Sequence, residues 1–209
     1  MTEALKVGAD ALALRLSPVA LEQFQRFLAL LDKWNQVYNL TAIRDPSESV
    51  SHHILDSLAV ADFLPEGRLA DVGSGAGFPG IPLALACPQR QVVLIDSSHK
   101  KAAFMQQAVV ELGLRNVMVV HSRVEAYRPQ LLFRVVISRA FADLSRFISA
   151  ARHLCTPGGR LIAMKGSRPD EEIASVPQAA IERIVRLSVP GLGAQRHLVV
   201  IDPDKLARD

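Results

Sequence analysis

Apolar residues in the first third of the chain recur with a helical period. Leu21, Phe24, Leu28 and Leu31 fall on one stripe, with Phe27 and Trp34 beside it. Ser17-Pro18 supplies a capping residue followed by proline at the first helical position. Asp45-Pro46-Ser47-Glu48 repeats the device in capping-box form, and the helix it opens is predicted to continue through His52–Leu64. Residues 1–66 therefore read as two or three helices, an extension packed on the remainder of the chain.

From Arg68 the texture changes to short apolar runs separated by helical ones. Strands are predicted over 68–73, 91–96, 116–120, 133–138 and 160–165, with helices over 100–113 and 144–154 between them. This alternation implies right-handed βαβ units and a parallel sheet. The tail breaks the rhythm. The strand-like runs at 181–189 and 196–202 are separated by a linker around Pro190-Gly191-Leu192-Gly193 that is too short for a crossover helix. They should pair antiparallel. The expectation is an α/β domain over residues 67–209 with a mostly parallel, seven-stranded sheet carrying one reversed edge strand.

The candidate chemistry lies between the first strand and the next helix, in Leu69–Leu85, "LADVGSGAGFPGIPLAL". Glycines in a strand-to-helix turn let the backbone approach a ligand closely. Gly75, Gly77 and Gly80 satisfy G-x-G-x-x-G, and Asp96 lies 21 residues after Gly75, where a ribose-binding acid belongs. By that motif alone a dinucleotide enzyme is a live reading. Two features argue against it. Asp71 sits two residues before Gly73, where a carboxylate can meet a cationic amine that NAD does not carry. Phe78 is bulky where a pyrophosphate would meet the helix. With the reversed strand, the loop and the acid at 96 resemble the Rossmann-like S-adenosylmethionine-dependent methyltransferase fold, in which Asp96 would take the ribose hydroxyls and Asp71 would lie near the methionine end. For Asp96 the plainer role is a cap for the following helix, and both roles can coexist.

Composition narrows the setting. The 209 residues are 49% apolar, a globular balance, and no stretch is apolar and long enough to span a membrane. The first residues lack the basic-then-apolar order of a secretory signal, and Cys87 and Cys155 form neither a disulfide framework nor a zinc spacing. A cytoplasmic protein is expected. Net charge is only +3, but arginine outnumbers lysine three to one, a hint of phosphate contact. Adjacent His52 and His53 would point about 100° apart on a helix, which disfavours a shared metal ion. No metal is expected.

The substrate class is narrowed by what is missing. The exocyclic-amine methyltransferases' Asn/Asp-Pro-Pro-aromatic motif is not found after the fourth strand, where the chain reads "VVISRAFADL". Neither cysteine falls at a strand's carboxyl end, where a pyrimidine methyltransferase needs its nucleophile. In order, "KWNQVYNLTAI", "HHILDSL", "DVGSGAGFPGIPLA", "SRVE", "SRAFADL" and "MKG" resemble the RsmG/GidB family of bacterial 16S ribosomal RNA guanine-N7 methyltransferases. The resemblance covers nearly the whole chain and is weakest over residues 1–15 and the last hairpin. It implies S-adenosylmethionine as cofactor, held at Gly73, Phe78, Val124, Glu125 and Arg139. It implies 16S rRNA or the small ribosomal subunit as partner, and guanine 527 of the 530 loop as target. Arg139 ends strand four at the open rim, where it can meet the methionine carboxylate or an RNA phosphate. Arg123 and Lys165, also at strand ends, read as RNA contacts or as solvated surface. Asn39 and Asp56 are expected to fix the helical extension or to line the RNA side. Guanine N7 has an in-plane lone pair and no proton to lose, so no general base is expected. A small-molecule methyltransferase with an apolar lid and a non-catalytic cofactor-binding regulator remain the competing readings.

Overall fold

The computed structural model describes residues 2–43, 45–139, 141 and 143–206. Two helices open the chain, α1 (Thr2–Ala11) and α2 (Pro18–Tyr38). The α2 start is as predicted: the Ser17 hydroxyl accepts the Ala20 N–H at 3.1 Å, and Pro18 occupies the first turn. Phe24, Phe27, Leu28 and Leu31 are buried, and Leu21 and Trp34 pack beside them.

The second predicted helix takes a different form. α3 (Pro46–Ser49) passes into a π-helical turn over Val50–Leu55, then α4 (Asp56–Leu58), and a 3-10 turn over Ala61–Phe63 ends the segment. The wider turn parts the two histidines: His53 is buried and His52 half-exposed. It also aims Asp56 inward at 1% exposure.

Strands β1 (Leu69–Val72), β2 (Val92–Asp96), β3 (Val117–His121), β4 (Phe133–Ser138), β5 (Cys155–Lys165), β6 (Ile181–Leu187) and β7 (Arg196–Ile201) form one sheet in the order β3-β2-β1-β4-β5-β7-β6. Helices α5 (Gly80–Ala86), α6 (His99–Leu112), α7 (Leu144–Ala151) and α8 (Asp170–Ala174) complete the fold. Gly113, at the end of the helix predicted over 100–113, closes α6 in the left-handed conformation. The first five strands are parallel and β7 runs against both β5 and β6. The reversed strand thus sits one place inside the edge, and β6 is outermost. Burial explains the order: β7 is buried almost throughout, with Leu198–Ile201 apolar on both faces, whereas β6 exposes Glu182, Arg183 and Arg186. β5 also begins at Cys155, ahead of the strand predicted over 160–165, with a register shift against β4 between Phe133 and Val135.

Alternation along the strands divides the core in two. Leu69, Leu94, Ile137 and Ile162 face a cluster that includes Phe24, Phe27, Ile54 and Phe104, so the N-terminal helices share one continuous core with that face of the sheet. Ala70, Ile95, Val136 and Leu161 face α7 through Phe147 and Ile148 on the other side.

Candidate active site

The strand order reverses between β1 and β4, and the crevice outside their carboxyl ends is where this topology receives ligands. The glycine loop floors it. Ser74 knots the loop to the sheet: its hydroxyl donates to the Asp71 carbonyl at 2.7 Å and accepts the Ile95 N–H at 3.0 Å. The N–H groups of Gly77 and Phe78 then bond the Ser74 carbonyl. Gly75 takes φ +60°, in the left-handed region, and an added Cβ there would meet only the Gly73 carbonyl, at 4.0 Å. The loop surface is therefore open above Gly75. Gly80 is the opposite case, since a Cβ would run into Leu94 and the Asp71 carboxylate.

Asp96 ends β2 with its carboxylate already oriented. One oxygen accepts the Gly75 N–H and the other the Ser98 N–H, both at 2.8 Å. The second bond is a local turn ahead of α6 and not a helix cap, since the N-cap of α6 is Ser98 and it has no side-chain cap bond; each oxygen keeps a further lone pair for a ligand hydroxyl. Asp71 is fully buried. Its Oδ2 accepts the Gly80 N–H at 2.8 Å, and its Oδ1 has no hydrogen-bond partner among the described residues. Burial dominates its titration and raises its pKa to about 7, against the Gly80 bond and the nearby Arg139, which lower it. The fold has left an unsatisfied carboxylate oxygen under the switch point, an acceptor suited to a cationic amine.

The other residues singled out from the sequence divide. Val124 is buried in a 3-10 turn after β3, with Arg123 and Glu125 exposed on either side, and the Ser122 N–H bonds the Asp96 carbonyl, so this turn lies against the end of β2. Phe78 is 3% exposed. Its ring stacks on His53 at 4.5 Å, Phe27 packs against it, and the Arg139 guanidinium lies over it at 5.2 Å. Its side chain therefore joins the loop to the helical extension, and only its backbone faces the loop.

Arg139 follows β4 and is an ion-pair partner as well as a rim residue: Nη1 reaches the Asp56 carboxylate at 3.0 Å and the His52 carbonyl at 3.2 Å. Ala140 and Ala142 of the same motif lie outside the described residues. Lys165 is neither solvated nor a bare rim cation. Its ammonium bonds Glu172 at 2.6 Å and the Phe141 carbonyl at 3.0 Å.

One residue here escapes sequence reading. Arg196, at the start of β7, gives its Nε–H to the second oxygen of Asp56 at 2.9 Å. With Thr41, His53, Asp56 and Arg139 it lines a cleft of about 400 Å³ between the helical extension and the sheet rim. Within that wall the His53 Nε2 faces the Thr41 hydroxyl at 2.9 Å. Burial, then the charge of Arg139, lower its pKa to about 4, so the ring is neutral at physiological pH. Cys87 and Cys155 lie at the far end of the sheet, after α5 and at the start of β5. Burial holds the Cys155 thiol up at about 12. Among the described residues no group of three or more histidine, cysteine or acidic side chains is placed to hold a metal ion, and no helix is long and apolar enough to cross a membrane.

A seven-stranded sheet with one reversed strand, a glycine loop after β1 and an acid ending β2 define the fold of the S-adenosylmethionine-dependent methyltransferases. Solved structures agree: the chain superposes on a SAM-dependent methyltransferase from Aquifex aeolicus with TM-score 0.54 and 20% identity, over 75% of this chain and 93% of that one. It also superposes on a Geobacter sulfurreducens SAM-dependent methyltransferase solved with S-adenosyl-L-homocysteine, with TM-score 0.51 and 18% identity, over 76% and 73%. The family profile described as rRNA small subunit methyltransferase G, GidB, matches residues 20–199. The Ribosomal RNA small subunit methyltransferase G of Chromobacterium violaceum is 54% identical over 200 residues, 95% of this chain and 96% of that protein. The chain belongs to the rRNA small subunit methyltransferase G family.

Proposed function

We propose that this protein is a cytoplasmic enzyme that methylates N7 of a guanine in 16S rRNA, the guanine of the 530 loop, using S-adenosylmethionine. The observation that carries the reading is the pre-set cofactor cradle in a chain of this family: Asp96 is locked by two backbone N–H groups beside an open glycine surface, and Asp71 keeps an unsatisfied oxygen below it. When bound, S-adenosylmethionine supplies a methyl group on a sulfonium that is already electrophilic. The chain's own residues hold and orient. Asp96 would accept the ribose hydroxyls, the Gly73–Gly77 backbone would approach the ligand, Val124 and Glu125 would border the adenine, and Asp71 would face the methionine amine. Arg123, Arg139 and Lys165 would serve the RNA, Lys165 only after exchanging its bond to Glu172.

N7 carries no proton, so the protein need not remove one. The neutral, buried His53 and the distant cysteines fit a site that works by alignment, which can contribute several kcal/mol of barrier reduction. The test is methyl transfer from labelled cofactor to small ribosomal subunits from cells lacking the enzyme, followed by chemical scission at N7-methylguanine. Label in 16S rRNA with scission at one guanine supports the reading. Label at an exocyclic amine, or none in RNA, overturns it.

A further inference from the structure

The cofactor crevice lies between β1 and β4, but the charged cleft beside it reaches much further along the rim. β7 is three strands from β1, in the order β1-β4-β5-β7, which is about 14 Å across a sheet. Arg196 stands at the crevice rim only because β7 is reversed: the antiparallel register sets Lys165 opposite His197, so the first residue of β7 lies beside the carboxyl end of β5. Arg196 therefore approaches Asp56 from the β7 side, and Arg139 approaches it from the β4 side, next to the glycine loop.

A single carboxylate connects the two sides. Asp56, with its side chain 2% exposed, gives one oxygen to Arg139 and the other to Arg196, whose side chains are 27% and 22% exposed. The acid is sealed inside and the guanidiniums reach outward. Two arginines against one aspartate leave the cluster with one net positive charge. Arg139 uses only Nη1, and Arg196 only Nε and Nη1, in hydrogen bonds among the described residues. Outward donors therefore remain on both planes, in a geometry suited to oxyanions.

We infer that Asp56 is a positioning residue for the reaction, and that with Arg139 and Arg196 it forms a preset clamp for an RNA phosphate beside the target guanine. The inference rests on the RNA-methylating reading above. The shared ligand chemistry is an oxyanion, and a cofactor carboxylate is the competing source for Arg139. Arg196 is the discriminating residue, because it enters the clamp from β7, three strands from the glycine loop.

The test uses full-length protein with small ribosomal subunits from cells lacking the enzyme, at several salt concentrations, and separately titrates S-adenosylhomocysteine. Arg196→Ala should raise KM for subunits about tenfold and lower the magnitude of the salt slope by about one, since one phosphate contact is lost. Its affinity for S-adenosylhomocysteine should stay within about twofold, because the cofactor side is untouched. Arg196→Lys, which keeps the charge but not the fork, should fall between. Asp56→Asn should reproduce the KM defect with kcat less affected, and Asp56→Glu should recover part of it, which a purely structural role would not give. An unchanged KM and salt slope in Arg196→Ala overturns the proposal, as does a fall in S-adenosylhomocysteine affinity matching the loss for RNA. Wild-type protein that fails to methylate subunits removes the functional reading and this proposal together. Wild-type protein that methylates them while Arg196→Ala does the same removes this proposal alone.

Discussion

The two halves of the rim are built by different means. On the β1–β2 side, nearly every bond is local or between neighbouring strands: Ser74 to Asp71 and Ile95, Asp96 to Gly75 and Ser98, Asp71 to Gly80. On the β4–β7 side the same rim is made by side chains from distant parts of the chain, with Asp56 joining Arg139 and Arg196 across 83 and 140 residues. The first half presents backbone and carboxylate to a small polar ligand. The second presents guanidiniums on a buried acid, which suits a polyanion. On the proposal above, the rigid backbone half would take the cofactor and the charge network anchored in the helical extension would take the substrate.

If the network is also a structural tie, breaking it should have the largest effect on stability. Asp56→Ala leaves two half-buried guanidiniums without their acid. Removing one partner of a fully buried pair costs about 3–5 kcal/mol, and the arginines' partial exposure reduces the expected cost here to about 2–3 kcal/mol. Urea denaturation at pH 7.5 measures it. A cost below about 0.5 kcal/mol, the size of an ordinary surface substitution, would mean that the extension is held by its apolar core alone.

On the cofactor side, Asp96→Ala should weaken S-adenosylhomocysteine binding by about 1–3 kcal/mol, the range for unmaking hydrogen bonds to a charged group. Its effect on KM for subunits should be small. Calorimetry showing unchanged affinity, or tight NAD binding by the wild type, would undo the assignment of this half.

Asp71 gives the β1–β2 side a pH signature of its own. Its folded-state pKa of about 7 lies above the ordinary 3.8, so the stability associated with its proton is fully present below about 3.8 and is lost as pH rises through 7. Asp71→Asn, which can keep the bond from Gly80, should therefore stabilise the free protein by about 1–2 kcal/mol at pH 8 and by much less at pH 5. It should also weaken the cofactor. In wild type, cofactor binding near pH 6.5 should release protons, seen as a dependence of the calorimetric heat on buffer ionisation enthalpy. His53 has the opposite sign: with a pKa lowered to about 4, its stabilising neutral form is complete above 6.5 and is lost as pH falls toward 4. An Asp71→Asn gain over wild type no larger at pH 8 than at pH 5 would contradict the buried-charge account.

The same contrast between local and long-range bonds decides what was legible in the sequence. The glycine loop, Asp96, the Ser17 cap and the βαβ alternation were readable because each is specified within one or two elements. The π-helical turn was not, because helical periodicity does not distinguish an inserted residue in Val50–Leu55. The reversed strand was readable as a hairpin, but not its place inside β6, which depends on burial of both faces of Arg196–Ile201. Arg196 carries no local mark of a rim residue. In a parallel sheet the crevice is lined by the carboxyl ends of strands, and only a reversed strand brings its first residue to the same rim. Lys165 stands at such a carboxyl end, but its pairing with Glu172 across α8 carries no local signal.

The smallest change is expected in the chemistry itself, if the chain aligns its reactants and removes no proton. Single-turnover methyl transfer should be measured with saturating cofactor and excess small subunits across about pH 6.5–8.5, in wild type, in a Cys87→Ser, Cys155→Ser double variant and in His53→Ala. The rate should be level across this range, with no rising limb from a titrating base. The double variant should retain most of it, since both thiols lie at the far end of the sheet. A rate climbing about tenfold per pH unit in wild type and flattened by the loss of the thiols or of His53 would show a titrating group at work in the chemical step, and would contradict both the mechanism and the choice of N7 as target.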